Sequence, residues 1–597
     1  MCGYIGEISL NPINKDLLFE SNLCQVCRGP DETKYLEKVI GNQNYNLSLL
    51  FNRLSVIDLS EAASQPMVSK DFGTLITFNG EIYNHNELRK SLEKSCNFKT
   101  DHSDTEVLLN GLSLEGHKFL NKVKGQFSIV FIDPKNNKVL MARDRLGQKP
   151  LFYKYSKKSL AFSTNLKSLV EQTSSHMIDE KQVINYFNFG VVPSPNTIFR
   201  NIYKLKPSNT IVFDLSKDIK IIEDNIYWKP ESYINNNDFD QEVFIEKFKE
   251  SLKYRLVSDV PVSTFLSGGL DSSSITKGLH EVDAEVNTFS VIHEDKKYDE
   301  SLWINQVIKK YETNHTEVQI NQDNIDNQIL NAINSLDEPY SDPSVVPSFV
   351  LSQIISKKYK VALSGDGGDE LLGGYRRFQN SFQNKNHFRN LTSKMYPIYP
   401  GYLGSGSNLL MNSKDQPTSY FASLEDDKFI KMLGLESDNS LKDKFYQEHG
   451  DKFKSLMLSE YSFFLSEMMC LKIDRTSMSN SLEVRSPFLD HKLIEYVLSS
   501  KMSDIVIPNA KQPLKKYLGN DFSHEFINRK KMGFSFNVES WVYKNKEFIN
   551  DTLNKGEIAY SIDPNILKKL SIYKSRINSH RIWKLLVLET YIKSIKK

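Results

Sequence analysis

The chain has 597 residues, of which 39% are hydrophobic and 25% are charged, and this length exceeds what a single hydrophobic core normally serves. Its formal net charge of +2 excludes the strongly basic surface typical of nucleic-acid binding, and no apolar run is long enough to span a bilayer. Five cysteines do not form a disulfide framework in so long a chain, and no signal-peptide pattern is present, so the sequence predicts a protein of the reducing cytoplasm.

Cys2 stands directly after the initiator methionine in the opening "MCGYIGEI". If the methionine is removed, Cys2 carries both a thiol and a free α-amine, which titrates near about pH 8 and can act as a base. A thiol with its own base attached is a self-contained nucleophile. A buried strand cysteine is the alternative, and position alone favours it because free cysteine packs like a small hydrophobe.

Residues 1 to about 210 predict a strand-rich first domain. Strand-like runs such as "NLSLLF", "TLITFNG", "FSIVFID" and "NTIVFDL" are separated by turn signals, with helical patterns at "HNELRKSLEK" and "TEVLLNGLSLEGHKFLNKV". This mixture predicts packed sheets with flanking helices.

Cys24 and Cys27 form one C-x-x-C that lacks the second pair a zinc site needs, so packing is the favoured interpretation. The polar stretch 214–240 that follows the last strand predicts a linker.

A second pattern begins at about residue 240, where an amphipathic helix precedes the buried-strand candidate "VPVSTFL". The loop "SGGLDSSS", the helical "ITKGLHEV" and the strand candidate "VNTFSVI" follow, and "KYKVALSGDGGDELL" is a further strand that runs into a glycine-rich loop. Repeated strand, glycine loop and helix are typical of a parallel α/β sheet that binds ligands at the carboxyl ends of its strands. After about residue 380 the sequence predicts mostly helices.

The loop "SGGLDSSS", Ser267 to Ser274, has the composition of a phosphate cradle. Its glycines allow backbone N–H groups to approach an anion, its serines add donors, and the following helix directs its N-terminus at the same place. It lacks the P-loop pattern G-x-x-x-x-G-K-[ST]. Asp271 would repel a phosphate unless a magnesium ion lay between them.

A second loop of this kind, "SGDGGDELLGGY", runs from Ser364 to Tyr375. It offers Asp366, Asp369 and Glu370 among four glycines. Two carboxylate-bearing loops at neighbouring strand ends can hold one magnesium ion on a nucleotide pyrophosphate, whereas an EF-hand is excluded by the ligand spacing.

Over nearly its full length the chain resembles the glutamine-dependent asparagine synthetase family. The resemblance is carried by "SGGLDSS" together with "MCG", "RGPDE", "RLSVIDLS", "NGEIYNHNELR", "SDTEVLL", "ARDRLGQKPLFY", "LKIDRTSMSNSLEVRSPFLDH" and "RKKMGFSFNVESW". It implies an α/β multidomain protein. Residues 1–213 would form a class II glutamine amidotransferase domain, an N-terminal-nucleophile α/β/β/α sandwich, and 214–240 a linker. Residues 241–597 would form a parallel-sheet ATP-pyrophosphatase domain, which is adenine nucleotide α-hydrolase-like.

In the first domain the resemblance implies a glutaminase site. Cys2, as the first residue after trimming, would attack the amide carbonyl of glutamine, with its α-amine as the base. The side chain of Asn79 and the backbone N–H of Gly80 would form the oxyanion hole. Three residues would bind the substrate: Arg53 would bind the glutamine carboxylate, and Glu81 and Asp104 would bind its α-amine. The chain departs from the family at Cys27, Phe51 and Asn52, none of which is a matched catalytic position.

In the second domain the resemblance implies an ATP site and an acyl-adenylate site. ATP would be surrounded by Leu266, Ser267, Gly268, Gly269, Asp271 and Ser272, with Val291 near the adenine and Ser364 and Gly365 on the ribose side. Asp271 and Asp369 would hold Mg²⁺. Asp366 occupies the acidic position tied to acyl-adenylate formation, and Arg475 stands where a cation neutralises the departing pyrophosphate.

The implied activity is a glutamine-hydrolysing, ATP-dependent carbon–nitrogen ligase with aspartate as the acceptor and asparagine as the product. One alternative is the amidation of another carboxylate, such as a sugar uronic acid in surface-polysaccharide biosynthesis. A catalytically dead interaction protein on the same fold is the other alternative. Six intact residues argue against it: Cys2, Arg53, Asn79, Asp104, Asp271 and Asp369. The partners implied are small molecules, with no nucleic acid and no membrane, and a homodimer is left open.

Overall fold

The computed structural model describes residues 2–292, 299–319, 325–382, 394–403, 416–436, 440–507, 509–529, 537–554, 556 and 563–595. In the first domain, two six-stranded antiparallel sheets are formed in the strand orders β10-β8-β9-β1-β3-β2 and β12-β11-β7-β6-β5-β4. The strands are β1 Gly3–Ser9, β2 Glu32–Ile40, β3 Tyr45–Arg53, β4 Met67–Val68, β5 Leu75–Ile82, β6 Gly125–Asp133, β7 Lys138–Arg143, β8 Phe152–Tyr155, β9 Ser159–Ser163, β10 Tyr203–Lys204, β11 Asn209–Asp214 and β12 Lys220–Ile226.

The two sheets pack face to face, because their apolar side chains alternate toward a shared core. Tyr4 and Leu49 of one sheet share that core with Val130 and Phe213 of the other. Helices cover the outer faces, as Leu108 shows by packing on the outer side of the second sheet. The helices of this domain are α1 Lys15–Asn22, α2 His85–Leu92, α3 Asp104–Glu115, α4 Leu166–Gln172 and α5 Glu180–Phe189. The first domain is therefore the N-terminal-nucleophile sandwich that the sequence predicts.

Strand β12 lies inside the stretch 214–240 that the sequence predicts as a linker. It pairs antiparallel with β11 and forms one edge of the second sheet, so that sheet extends to Ile226. An edge strand with polar, largely exposed side chains lacks the apolar alternation by which strands are predicted, which explains why the pattern indicates a linker.

The second domain contains a five-stranded parallel sheet in the order β15-β14-β13-β16-β17. Its strands are β13 Val262–Phe265, β14 Asn287–Ile292, β15 Asn314–Gln319, β16 Val361–Leu363 and β17 Glu483–Arg485. The chain adds β14 and β15 on one side of β13 and then returns to add β16 on the other side. Such a reversal opens a crevice at the carboxyl ends of the two central strands, where ligands of α/β sheets bind.

Helices surround this sheet and make up most of the remaining chain. They are α6 Gln241–Arg255, α7 Leu270–Glu281, α8 Ser301–Tyr311, α9 Ile325–Asn334, α10 Val345–Ile355, α11 Gly368–Leu372 and α12 Arg376–Phe382, and then Gln416–Phe421, Asp427–Met432, Leu441–Phe445, Lys452–Ser459, the π-helix Glu460–Met469, Cys470–Met478, His491–Ser499, Ser503–Val506, Gln512–Leu518, His524–Asn528, Val538–Lys544, Lys546–Asn554, Pro564–Ile572 and Arg576–Ile595. In the described part of the chain, none of the helices has the length and apolarity required to cross a membrane.

Candidate active sites

One cleft of the first domain brings together five of the residues that the sequence predicts for glutamine hydrolysis. Cys2, Arg53, Gly80, Glu81 and Asp104 all line it. Its empty volume is about 380 Å³, part of which is open to solvent. The residues come from the position before β1, the end of β3, β5 and the start of α3, so the pairing of the strands and the packing of α3 create the cleft.

Cys2 is bonded directly to Asn79, which precedes Gly80 on β5 but is not itself among the residues that line the cleft. The backbone nitrogen of Cys2 donates to Asn79 Oδ1 at 3.0 Å, which leaves the amide nitrogen of Asn79 buried without an acceptor among the described residues. A buried N–H donor without a partner is costly unless a ligand supplies the acceptor. A Cβ at Gly80 would overlap the carbonyl oxygen of Gln126, so the strand approaches too closely for any other residue. The arrangement can hold a developing oxyanion. Burial raises the pKa of the Cys2 thiol, so a base is needed to activate it.

Arg53 is fixed before any substrate binds. Its guanidinium donates to the carbonyl oxygens of Asp58 and Ser60, the latter at 2.8 Å, and lies 3.9 Å from the carboxylate of Glu32. Its side chain is 8% exposed, and it therefore presents a positive charge to the cleft with little loss of rotamer freedom on binding.

Glu81 and Asp104 supply negative charge on the same cleft. Asp104 Oδ2 accepts the backbone N–H of Ile82 at 3.0 Å, while Glu81 Oε2 accepts from Arg485 at 3.1 Å. Glu81 Oε1 is buried and has no hydrogen-bond partner in the described ranges. Burial, followed by the charge of Asp104, raises the pKa of Glu81, and Arg485 opposes both. A substrate ammonium group would satisfy the open oxygen.

The glycine loop of the second domain lies between β13 and α7, at the switch in strand order. Ser272 Oγ accepts the backbone N–H of Ser267 at 3.2 Å, which folds the loop back over the start of the helix. Gly268 has φ +65°, the left-handed region that favours glycine, and Gly269 caps α7. The helix N-terminus therefore faces the loop, as anion binding requires. Leu266 and Val291 are buried on the adjoining strand ends.

The second glycine loop follows β16 and touches the first. A Cβ at Gly365 would come within 2.9 Å of the Asp271 Cβ, and one at Gly368 within 2.6 Å of Asp271 Oδ1. Ser364 donates its backbone N–H to the carbonyl oxygen of Arg485 at 2.9 Å, and its buried hydroxyl has no partner among the described residues. Asp366 is half-buried on the same loop. The topology has therefore brought the two predicted loops together.

Lys511 is a residue of this site that sequence reasoning missed. Its ammonium group lies between two carboxylates, bonding both oxygens of Asp271, one at 2.6 Å, and Asp369 Oδ1 at 2.6 Å. Burial alone would lower the pKa of Lys511, but the two carboxylates raise it. Lys511 also has φ +60°, an uncommon conformation for a residue with a side chain. The only signal in the sequence was one lysine among several in "NAKQPLKKY".

The two carboxylates on Lys511 also suit a magnesium ion. Magnesium is commonly held by one or two carboxylates plus the phosphates of a nucleotide. Asp271 and Asp369 already converge on one positive charge, so their donor set fits such an ion once a nucleotide is present. Without a nucleotide, no cluster of three or more potential metal-ligating residues exists within the described ranges.

A second cation lies near the phosphate loop. Arg529 donates to Glu300 at 2.8 Å, and one of its guanidinium nitrogens would be 3.9 Å from a Cβ built at Gly269. Arg529 opens the segment "RKKMGFSFNVESW" noted in the sequence, of which residues 530–536 lie outside the described residues. Its position makes it a further candidate for contact with phosphate.

Arg475 is placed differently from its predicted neighbours. Its guanidinium is held by Asp337 at 2.6 Å, Glu338 at 3.1 Å and Asp474 at 3.2 Å. Within the described part of the chain, its ion pairs and hydrogen bonds involve carboxylates of the domain interface and neither glycine loop. The structure therefore does not bring Arg475 into contact with the ATP loops, and its role in neutralising pyrophosphate stays a prediction.

The carboxylates around Arg475 belong to a buried ion network that crosses from one domain to the other. Arg28 forms a bidentate pair with Asp474, at 2.8 and 3.1 Å, and Lys149 lies 3.4 Å from the same carboxylate. Arg28 ends the 3₁₀ helix Leu23–Arg28, which contains Cys24 and Cys27 as free thiols, and its Nε donates to the carbonyl oxygen of Cys2 at 3.2 Å. Although burial alone would raise the pKa of Asp474, Arg28, Lys149 and Arg475 lower it below its usual range.

We expect Asp474→Asn to destabilise the protein by about 3–5 kcal/mol, because it leaves buried positive charges without their shared partner. The measurement is the apparent stability to heat and denaturant. Asp31→Asn is the matched control: Asp31 also pairs across the domains, with Lys360 at 2.7 Å, but that pair is partly exposed and should cost less than about 1 kcal/mol. Equal losses for the two variants would contradict the assignment of Asp474 to a buried network.

Comparisons with known proteins assign each half of the chain to a family. Residues 1–228 match the glutamine amidotransferase domain family, and residues 244–593 match the asparagine synthase family. Glutamine-hydrolysing asparagine synthetase 1 of Bacillus subtilis is 28% identical over 98% of this chain and 96% of that protein. Asparagine synthetase 3 of the same organism is 31% identical, over 89% of this chain and 86% of that protein. A putative asparagine synthetase of Methanocaldococcus jannaschii is 33% identical, over 64% of this chain and 77% of that protein.

Proposed function

This chain belongs to the asparagine synthase family, and from that premise we propose that it converts aspartate to asparagine, using ATP and ammonia released from glutamine. The observation that carries the proposal is that one chain holds both half-sites: a cleft lined by Cys2, Arg53 and Glu81, and two glycine loops joined at Asp271. The relatives named as asparagine synthetases support aspartate as the acceptor.

The first half-reaction is glutamine hydrolysis. After methionine removal, the α-amine of Cys2 accepts the thiol proton and the sulfur attacks the amide carbon. Asn79 Nδ2 and the Gly80 N–H stabilise the oxyanion, and the proton passes to the departing nitrogen, which leaves as ammonia. Water then hydrolyses the thioester to glutamate and regenerates the thiol.

The second half-reaction activates the acceptor, because a free carboxylate is a poor electrophile toward ammonia. The carboxylate oxygen attacks the α-phosphorus of ATP, and pyrophosphate leaves to give an acyl-adenylate. The backbone N–H groups of the Ser267–Ser272 loop and Lys511 stabilise the phosphates. Magnesium held by Asp271 and Asp369 would supply further neutralisation of phosphate charge when bound. Ammonia then attacks the acyl carbon and AMP leaves.

The ammonia must reach the second site as the neutral, nucleophilic species. Transit through bulk water would protonate and dilute it, so the two sites need to communicate inside the protein. The buried interface of the domains, where Arg28, Lys149 and Asp474 are each less than 10% exposed, supports such a closed route.

A direct assay tests the acceptor. Pyrophosphate release is measured with ATP, magnesium and a panel of carboxylates, with ammonia or glutamine as the nitrogen source. Aspartate should release pyrophosphate and form asparagine with either source. Pyrophosphate release with a uronic acid and none with aspartate would overturn the choice of acceptor, because a site built for one set of polar groups rejects a substrate that leaves them unpaired.

We expect Asp366→Ala to lower aspartate-dependent pyrophosphate release at least about 100-fold, because small displacements of the acceptor from the α-phosphorus are costly. Asp366 lies on the loop that contacts Asp271 through Gly365 and Gly368. Glutamine hydrolysis in the other domain should continue near the wild-type rate and serves as the control for folding. Retention of full synthesis by the variant would remove Asp366 from the site.

A further inference from the structure

Arg485 belongs to the second domain but reaches the glutamine cleft of the first. It lies on β17, its side chain is fully buried, and its Nη2 donates to Glu81 Oε2 at 3.1 Å. Its Nε donates to Glu483 at 2.7 Å, and its Nη1 donates to the carbonyl oxygens of Arg255 and Val257. Each nitrogen of the guanidinium therefore has a defined acceptor.

The backbone of Arg485 is equally fixed. It pairs with Leu363 in the parallel sheet, and its carbonyl oxygen accepts the N–H of Ser364 at 2.9 Å. The guanidinium is thus held in place before glutamine arrives, which removes the entropic cost of ordering it on binding.

Glu81 is the acceptor that this arrangement serves. Its Oε2 accepts a hydrogen bond from Arg485. Its Oε1 is buried and has no hydrogen-bond partner in the described part of the chain. The other charged side chains facing Glu81 are Asp104 and Glu483, both negative. Burial and Asp104 raise the pKa of Glu81, and Arg485 is the side chain that opposes this.

We propose that Arg485 is a positioning residue for glutamine, which holds one carboxylate oxygen of Glu81 and turns the other toward the α-amine of the substrate. The second domain thereby completes the substrate pocket of the first. This inference rests on the proposed function, since it assumes that glutamine occupies the cleft.

The test measures glutamine binding by calorimetry in the full-length Cys2→Ala protein, where no turnover interferes. Adding Arg485→Met should raise the dissociation constant for glutamine about 10- to 100-fold near pH 7, the effect of losing a hydrogen bond to a charged group. The ratio of the two dissociation constants should fall as pH rises from 6 to 9, because higher pH restores the charge on Glu81. Arg485→Lys keeps the positive charge and should weaken binding less than Arg485→Met.

A second variant controls for loss of binding that results from misfolding. Arg485→Met leaves Glu483 buried without its partner, so Glu483→Gln is combined with it to remove both charges of that pair. Ammonia-dependent pyrophosphate release reports that the protein is folded. A dissociation constant within about twofold of that of Cys2→Ala at every pH, in a folded Arg485→Met or doubly substituted protein, would overturn the inference. A weakened but pH-independent ratio would also overturn it, since that is the mark of a purely structural role. Failure of Cys2→Ala itself to bind glutamine would instead overturn the proposed function.

Discussion

Cys2→Ala is expected to abolish glutamine hydrolysis, with a fall in turnover of at least about 10⁴-fold, while synthesis from free ammonia continues. The thiol is the group that we propose forms a covalent bond with the amide, and Asn79 and Gly80 could not replace it because they would stabilise charge without forming that bond. Glutamate release and ammonia-dependent asparagine formation are measured on the same preparation.

Cys96→Ala is the matched control for this experiment. Cys96 belongs to the same domain and is as buried as Cys2, each being 8% exposed, but it does not line the cleft. Its substitution should leave glutamine hydrolysis near the wild-type rate. Comparable hydrolysis by Cys2→Ala would show that the nucleophile lies elsewhere.

Asp271→Asn and Asp369→Asn are each expected to reduce ATP-dependent pyrophosphate formation at least about 100-fold. Each change removes negative charge from the place where Lys511 lies between the two carboxylates and where the proposed magnesium ion would bind. Positioning of the phosphates and neutralisation of the leaving group should both suffer. Pyrophosphate release is measured with ammonia as the nitrogen source, so that the first site does not contribute.

Asp521→Asn provides the comparison for that pair. Asp521 pairs with Lys277, which lies on the same helix as Asp271 but farther from its N-terminus. This substitution should leave pyrophosphate formation within about twofold of wild type. Glutamine hydrolysis should survive in all three variants. Wild-type pyrophosphate formation by both Asp271→Asn and Asp369→Asn would remove these residues from the site.

The sequence predicts those parts of the sites that lie in short motifs next to strand ends. The loops at Ser267 and Ser364 meet because they follow β13 and β16, two neighbouring central strands of the parallel sheet, and strand order alone requires that meeting. The resemblance of their motifs to the family predicts that Cys2 and Asn79 belong to one site. In the structure the backbone nitrogen of Cys2 lies 3.0 Å from Asn79 Oδ1.

Other contacts have no local signal. Lys511 reaches Asp271 across 240 positions of sequence, and Arg485 reaches Glu81 across 404. A single lysine or arginine in a helical region carries no pattern that distinguishes it from a solvated surface charge. Arg475 is the converse case, because its motif predicts a contact with phosphate. In the structure, tertiary packing places its guanidinium against three carboxylates. Such pairings depend on tertiary packing and, for Arg485 with Glu81, on how the domains dock, which neither periodicity nor composition encodes.

The bridge from Arg28 to Asp474 limits how this chain can be recombined with its relatives. A chimera that joins a foreign first domain to this second domain inherits Asp474 whatever residue stands opposite it, and a neutral or acidic residue there would leave a buried carboxylate short of a donor. The same holds for Glu81 and Arg485. Exchange of the two halves by gene fusion should therefore succeed only when both residues of each ion pair are transferred together. Evolutionary change of one residue should likewise require a compensating change of its partner.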